Sequence, residues 1–261
     1  MKKISSEISR EIKTRPAICE AHGEFVSKNW IADVWSRCPA CETERLEKQK
    51  ADEEEAARVA RRQRWFDRIN AAGIPDRFKE RTLDTFIAET EGQKQALEFA
   101  REYAANFSDV LATGRSAIFV GKPGTGKTHL ACAIALRIIG TENRKVLFLT
   151  TQRLVRRIRD TWAHGNPETE TQAIEKLVYP DLLILDEVGV QSGSDNERNI
   201  LFDVINERYE KSKPTLMLSN LPIKEMTEYL SERIIDRLRE NGGKRMVFDW
   251  ESHRKNKGDQ Q

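Results

Sequence analysis

The chain has 261 residues, 33% charged and 38% hydrophobic, with 44 Lys+Arg against 42 Asp+Glu for a formal net charge of +2. That composition is globular and fits one core domain plus a smaller attachment; the near-balance of charge means that any basic surface for nucleic acid must be local. No apolar run is long enough to cross a membrane and the start, Met1-Lys2-Lys3-Ile4, lacks the apolar stretch of a secretory signal, so the expected location is cytoplasmic, where four cysteines are metal ligands or core residues rather than disulfides.

In chain order, residues 1–45 come first and hold Cys19, Cys38 and Cys41. Cys19-x₂-His22 and Cys38-x₂-Cys41 are two close ligand pairs separated by a loop, the way small segments build a tetrahedral Zn²⁺ site. Four protein ligands leave no position for a substrate, so the site is expected to be structural and to stabilise a segment too small for its own core. Free thiols beside an unrelated histidine are the alternative. Lys28, Trp30, Trp35 and Arg37 suit contact with DNA or with a protein, the latter favoured. Residues 42–72 are charge-dense, from Glu42 to Lys50, through Asp52-Glu53-Glu54-Glu55, to Arg58, Arg61, Arg62 and Arg64. Opposite charges at helical spacing predict a solvated connector helix, ended by Gly73-Ile74-Pro75.

Residues 76–252 alternate helix-like and strand-like runs, the pattern of a layered α/β domain, and the continuously apolar strands argue for a parallel sheet buried on both faces. A helix is expected over about 92–110. Ala117-Ile118-Phe119-Val120 reads as a buried strand leading into Gly121-Lys122-Pro123-Gly124-Thr125-Gly126-Lys127-Thr128, which fits the phosphate-loop pattern G-x-x-x-x-G-K-[ST] without mismatch, and helix-forming His129 to Ile139 follows. In that setting the backbone N–H groups from Gly121 to His129 wrap phosphates at a helix N-terminus, Lys127 reaches the β- and γ-phosphates, and the Thr128 hydroxyl is a Mg²⁺ ligand. Cys132 in that helix reads as a small core residue.

A second strand is expected at 146–149, helices at 152–162 and 168–178, and a third strand at 182–185 that ends in Asp186-Glu187. Ligands gather at the carboxyl ends of strands in open parallel sheets, which places Asp186 in the Mg²⁺ shell and Glu187 where it polarises a water for attack on the γ-phosphate. A helix over 197–211 leads to a fourth strand at 215–218, followed by Ser219-Asn220. Asn220 is expected to orient the attacking water or sense the γ-phosphate, with a turn residue as the plainer alternative. Residues 224–240 form one or two helices. They carry Arg233 and Arg237 on one face, suited either to a γ-phosphate or to salt bridges with Glu232 and Asp236. A final strand covers 246–248.

These motifs resemble AAA+ ATPases of the initiator and helicase-loader branch, and among them the DnaC-type loaders of the replicative helicase. The matching residues are Gly124-Thr125-Gly126-Lys127-Thr128-His129-Leu130-Ala131, Leu182 to Gln191, Glu225-Met226-Thr227 with Glu232 to Arg237, and Val247-Phe248-Asp249-Trp250-Glu251-Ser252-His253-Arg254. The last two groups lie outside generic ATPase motifs. The resemblance implies ATP hydrolysis, Asn220 as first sensor, and Arg233 and Arg237 as nucleotide-sensing or finger arginines that act across a subunit boundary, hence self-association. It also implies single-stranded DNA binding between the second and third strands, where Arg153, Arg156, Arg157, Arg159 and Trp162 lie. Arg156, Arg159 and Trp162 on one face would combine phosphate contacts with a stacking platform. The implied partner is a DnaB-type helicase hexamer, with no membrane involved. A zinc module departs from the best-known loaders and is similar to prophage variants; the helicase contact is expected within 1–75. The expected layout is a zinc-binding module at 1–45, a charged connector at 46–75, an AAA+ ATPase domain at 76–254 and a polar tail at 255–261. The competing reading is an IstB-type transposition helper, which shares the phosphate loop and the Asp-Glu strand but binds duplex DNA and a transposase; the Phe248-Asp249-Trp250 run and the zinc module favour the loader. A small-molecule kinase is a third reading, but it lacks an acceptor-site signature.

Overall fold

A computed structural model describes residues 12–31, 34–190 and 194–253; Gln191, Arg254 and the 255–261 tail lie outside the described residues, as does the side chain of Trp30. The chain divides into two compact units, Met1–Arg64 and Trp65–Gln261.

In the first unit, β1 (Lys13–Cys19) and β2 (Gly23–Ile31) form an antiparallel hairpin, and the short β3 (Val34–Trp35) pairs with the far end of β2. The register runs from Lys13↔Asn29 to Cys19↔Gly23. Gly23 closes the turn at φ +76, where a side chain is disfavoured. The sequence suggested turns here but no sheet. Burial alternates along the described part of β2, but Ser27 and Asn29 take inward positions while Ile18 and Val26 face outward, so no apolar alternation marks the strands. Helix α1 (Pro39–Ala71) follows, and Ile69 is its one buried residue. Polar on every side, it is laced instead by exposed pairs one turn apart, Arg45 with Glu42 and Arg58 with Glu55.

The second unit is built on a five-stranded parallel sheet in the order β5-β6-β7-β4-β8, comprising β4 (Ala117–Gly121), β5 (Val146–Thr150), β6 (Leu182–Asp186), β7 (Thr215–Ser219) and β8 (Lys244–Phe248). Alternate residues of each strand serve opposite faces. Phe119, Phe148, Ile184, Leu216 and Leu218 pack with α2 (Glu91–Ala105), α3 (Phe107–Thr113) and α4 (Lys127–Thr141). On the other face Ile118, Val120, Leu183, Leu185 and Met217 pack with α5 (Thr151–Asp160), α6 (Glu170–Val178), α7 (Asp195–Glu210), α8 (Ile223–Leu230) and α9 (Glu232–Arg239). Local chemistry fixes the starts: Thr90 with Gln93 and Thr169 with Gln172 make capping boxes on α2 and α6, and the Thr150 hydroxyl accepts from the Arg153 N–H at the head of α5. The single helix expected over 92–110 is interrupted at Asn106 (φ −106, ψ 33), and Gly114 at φ +70 stops α3. Ser231, at φ +81, separates α8 from α9.

Arg208 of α7 is wholly buried. Its guanidinium donates to the carbonyls of Leu177, Val178, Pro180 and Pro214 and to the Thr215 hydroxyl, at 2.6–3.1 Å. Burial lowers its pKa to about 9, still well above neutrality, so it ties the end of α6 to the start of β7 as a cation. Among the described residues no helix is long and apolar enough to cross a membrane.

Candidate nucleotide site and metal cluster

The phosphate loop leaves the end of β4 and enters α4, with β7 and β8 on either side of β4. Its backbone excludes side chains where the loop packs against neighbouring segments. A Cβ on Gly121 (φ +140) would sit 2.0 Å from the Phe248 carbonyl oxygen, and one on Gly126 (φ +97) would sit 2.6 Å from the Phe86 ring. Lys127 is buried, its ammonium donating to the carbonyls of Gly121 and Lys122 at 2.6 and 2.7 Å. The Thr128 hydroxyl donates to Asp186 Oδ2 at 2.9 Å, which joins the head of α4 to the end of β6. Burial raises the Asp186 pKa, opposed by the Thr128 and Glu187 hydrogen bonds and by the charges of Lys127 and Arg77. Glu187 follows in the left-handed region at φ +59, a strained conformation for a residue with a side chain.

These groups face a cavity of about 420 Å³ that also takes in Asn220 from the end of β7. The structure therefore brings Gly124, Gly126, Lys127, Thr128, His129, Asp186, Glu187 and Asn220 to one place, along with Pro123. Thr125 is fully buried behind the loop. The glycine cradle, the Lys127 ammonium and the paired Thr128 and Asp186 oxygens suit a polyphosphate with Mg²⁺. Sequence reading missed the cavity's other wall. Arg77, Arg81 and Phe86, from the stretch after α1, and His253, from beyond β8, all line it. No local motif marks Arg77, Arg81 or Phe86; His253 stands in the family-specific run, but nothing in that run joins it to the cavity. His129 is held there too: its Nε2–H donates to the Thr82 carbonyl at 3.0 Å and its ring meets Phe86 edge-on.

Arg233 and Arg237 lie elsewhere. They line a separate depression with Glu232, Asp236, Arg239 and Glu240, both guanidiniums lie over the Phe202 ring, and Arg237 donates to Asn206. Neither lines the phosphate-loop cavity.

On α5, Arg153, Arg156 and Arg159 are exposed, while Arg157 is within 3.9 Å of Glu168. Trp162 follows the helix and is 47% exposed, its indole N–H donating to Glu170. It is a surface ring.

In the first unit the predicted ligand atoms converge. Cys19 ends β1, His22 lies in the hairpin turn, and Cys38 and Cys41 bracket the head of α1; their ligand atoms all lie within 4.8 Å of one another. Cys19 Sγ is 3.4 Å from Cys41 Sγ, and His22 Nδ1 is 3.3 Å from Cys41 Sγ and 3.8 Å from Cys19 Sγ. Bond lengths of about 2.3 Å to sulfur and 2.0 Å to nitrogen give tetrahedral edges of roughly 3.5–3.8 Å. The donor set and its spacing fit zinc. Glu44 accepts from His22 Nε2 at 2.9 Å, which leaves Nδ1 to face the thiols; it stands one turn beyond Cys41 and was absent from the sequence reading. The His22 hydrogen bond draws the Cys19 thiol down to about 6, and the bond to Cys19 pushes Cys41 up to about 11.

A parallel sheet with the phosphate loop on the inner strand β4, an acidic end on β6 and an amide at the end of β7 between them defines a P-loop ATP-binding protein of AAA+ type. The chain belongs to the family described as IstB-like ATP binding protein, whose profile matches residues 40–260. It is 36% identical over 197 residues to the replicative helicase loader DnaC of Escherichia coli strain K12, covering 76% of this chain and 77% of that one. Identity to the DnaC loader of Buchnera aphidicola subsp. Baizongia pistaciae is 36% over 187 residues, 72% and 74% of the two chains. A crystal structure of the DnaC helicase loader matches with a TM-score of 0.61 at 26% identity, covering 67% of this chain and 100% of that one.

Proposed function

We propose that this chain is an ATP-switched loader that holds a replicative helicase of the DnaB type and places it on single-stranded DNA, with ATP hydrolysis driving release. The observation that carries this reading is the match to proteins named replicative helicase loaders over about three quarters of both chains. Those relatives argue against the transposition helper, although the matching family is described as IstB-like.

In this reading Lys127 leaves the carbonyls of its own loop to meet the β- and γ-phosphates. Thr128 and Asp186, already paired at 2.9 Å, would hold the Mg²⁺, which supplies charge neutralisation between those phosphates. Glu187 polarises the attacking water and Asn220 orients it, both from the strand ends that border the cavity. Arg233 and Arg237 lie outside their own cavity, which suits arginines that complete a neighbouring subunit's site, so self-association is part of the mechanism. Arg156 and Arg159 with exposed Trp162 give α5 phosphate contacts and a stacking ring for single-stranded DNA. The zinc-type cluster in the first unit fixes a small sheet whose interior alone is too slight to hold it, and the helicase contact is assigned to residues 1–75.

The test is co-elution of the full chain with the host's replicative helicase on a sizing column, with and without ATP. A complex supports the loader reading. No complex in either condition, together with ATPase stimulation by duplex but not single-stranded DNA, overturns it in favour of the transposition helper.

A further inference from the structure

The stretch after β8 carries family-specific residues that the nucleotide chemistry above leaves without a task. In the structure it runs along the back of the phosphate loop and bonds to it at three successive places. The Lys122 N–H donates to the Phe248 carbonyl at 3.2 Å. The Trp250 indole N–H donates to the Thr125 carbonyl at 2.9 Å, in a buried setting where Thr125 is wholly inaccessible and Trp250 is 8% exposed. The His253 backbone N–H donates to the Gly124 carbonyl at 3.1 Å. The Trp250 ring is itself held: it packs at a tilt against Phe248, ring centres 4.8 Å apart, and a Cβ on Gly92 of α2 would stand 3.3 Å from it.

A peptide unit is planar and trans, so its N–H points away from its C=O. The Thr125 carbonyl shares its plane with the Gly126 N–H, and the Gly124 carbonyl shares its plane with the Thr125 N–H. Holding those two oxygens from behind aims those two N–H groups forward, toward the ligand side of the loop. A glycine-rich loop needs such a hold, because Gly124 (φ +80) and Gly126 (φ +97) leave its peptide planes free to rotate. We propose that Phe248–His253 is a positioning strap for the phosphate loop, in which the Trp250 indole and the His253 backbone amide set the direction of the loop amides that receive phosphate. Trp250 is thus a positioning residue that acts through Thr125 and touches no nucleotide itself. The inference rests on the reading that this loop binds ATP.

The experiment measures affinity for a non-hydrolysable ATP analogue with Mg²⁺, and separately the melting temperature without nucleotide, for the full chain and four variants. Trp250→Phe keeps a ring in the slot and removes the donor, stranding a buried carbonyl. Affinity is expected to fall by about tenfold. An indole that only supports the core would lower the melting temperature and leave the dissociation constant of the folded protein unchanged, and that result overturns the proposal. Should Trp250→Phe fail to fold, His253→Pro against His253→Ala decides, since only the first removes the backbone N–H: several-fold weaker binding by the proline variant supports the strap, and equal affinities refute it. Lys127→Ala reports on the underlying reading. If it binds the analogue as tightly as wild type, the phosphate-loop assignment fails and the strap with it; if it loses binding while Trp250→Phe matches wild type, the strap alone fails.

Discussion

His129 stands at the first turn of α4 and holds the 82–86 stretch against the phosphate loop through the Thr82 carbonyl and the Phe86 ring. Burial, the main cause, keeps its imidazole below the ordinary value; the charges of Arg81 and His253 push the same way, and the Thr82 hydrogen bond opposes them. Between the depressed folded value and the unfolded value of about 6.5, the unfolded chain binds the proton more readily than the folded one. The contribution is therefore complete above that window and is lost as the pH falls through it. The melting temperature of the wild-type chain should drop more between about pH 7 and about pH 5.5 than that of His129→Gln, which has no proton to gain. Parallel pH profiles for the two proteins would remove His129 as the cause.

At the scale of elements, the hairpin turn and the head of α1 form one unit around the cysteine–histidine cluster. Glu44 connects them by orienting His22, and carboxylates in that position sharpen metal affinity by fixing the imidazole. Glu44→Gln should weaken zinc binding by about tenfold in a chelator competition, and Cys38→Ser should lose the metal and the fold of the first unit together. A wild-type chain free of metal after purification without chelator, and unresponsive to added zinc, would defeat the assignment. The ligand spacing was readable because turns keep ligands close in sequence, whereas Glu44 was not, since its role depends on the helix phase of α1 relative to the hairpin. The same division runs through the second unit. Strands and helices with strong apolar runs appear within a few residues of where periodicity put them. The break at Asn106 was invisible because both sides of it are equally helical in composition. The phosphate loop, Asp186 and Asn220 could be found because strand ends converge in a parallel sheet. Arg77, Arg81 and Phe86 reach the loop from a segment before the motif-bearing core, Trp250 from a family-specific run at its end, and no spacing rule joins any of them to the loop. Arg208 escaped for a related reason: an arginine is expected at the surface, and only the crowd of carbonyls around it explains its burial.

For the whole molecule, the separation of Arg233 and Arg237 from the cavity they are expected to serve bears on activity. An isolated chain has Lys127, Thr128, Asp186, Glu187 and Asn220 around the cavity but no arginine from α9. Arg237→Ala should keep ATP binding and lose assembly-dependent hydrolysis by about a thousandfold. Mixing it with a Lys127→Ala chain, which supplies the arginine but cannot bind ATP, should restore part of the rate. A wild-type rate for Arg237→Ala alone would return that residue to its contacts with Phe202 and Asn206.

The place of β8 in the sheet has a bearing on biosynthesis. The strand that carries the phosphate loop pairs on one side with β7 and on the other with β8, with Gly121 opposite Phe248. Translation delivers the loop early and its two flanking strands late, and chains fold from the N-terminal side as they emerge. Until β8 has been made, β4 lacks one of its two partner strands and the loop lacks the carbonyl of Phe248 that receives the Lys122 N–H. A nascent or prematurely terminated chain would carry the complete phosphate-loop sequence without the contacts from Phe248, Trp250 and His253 that hold it.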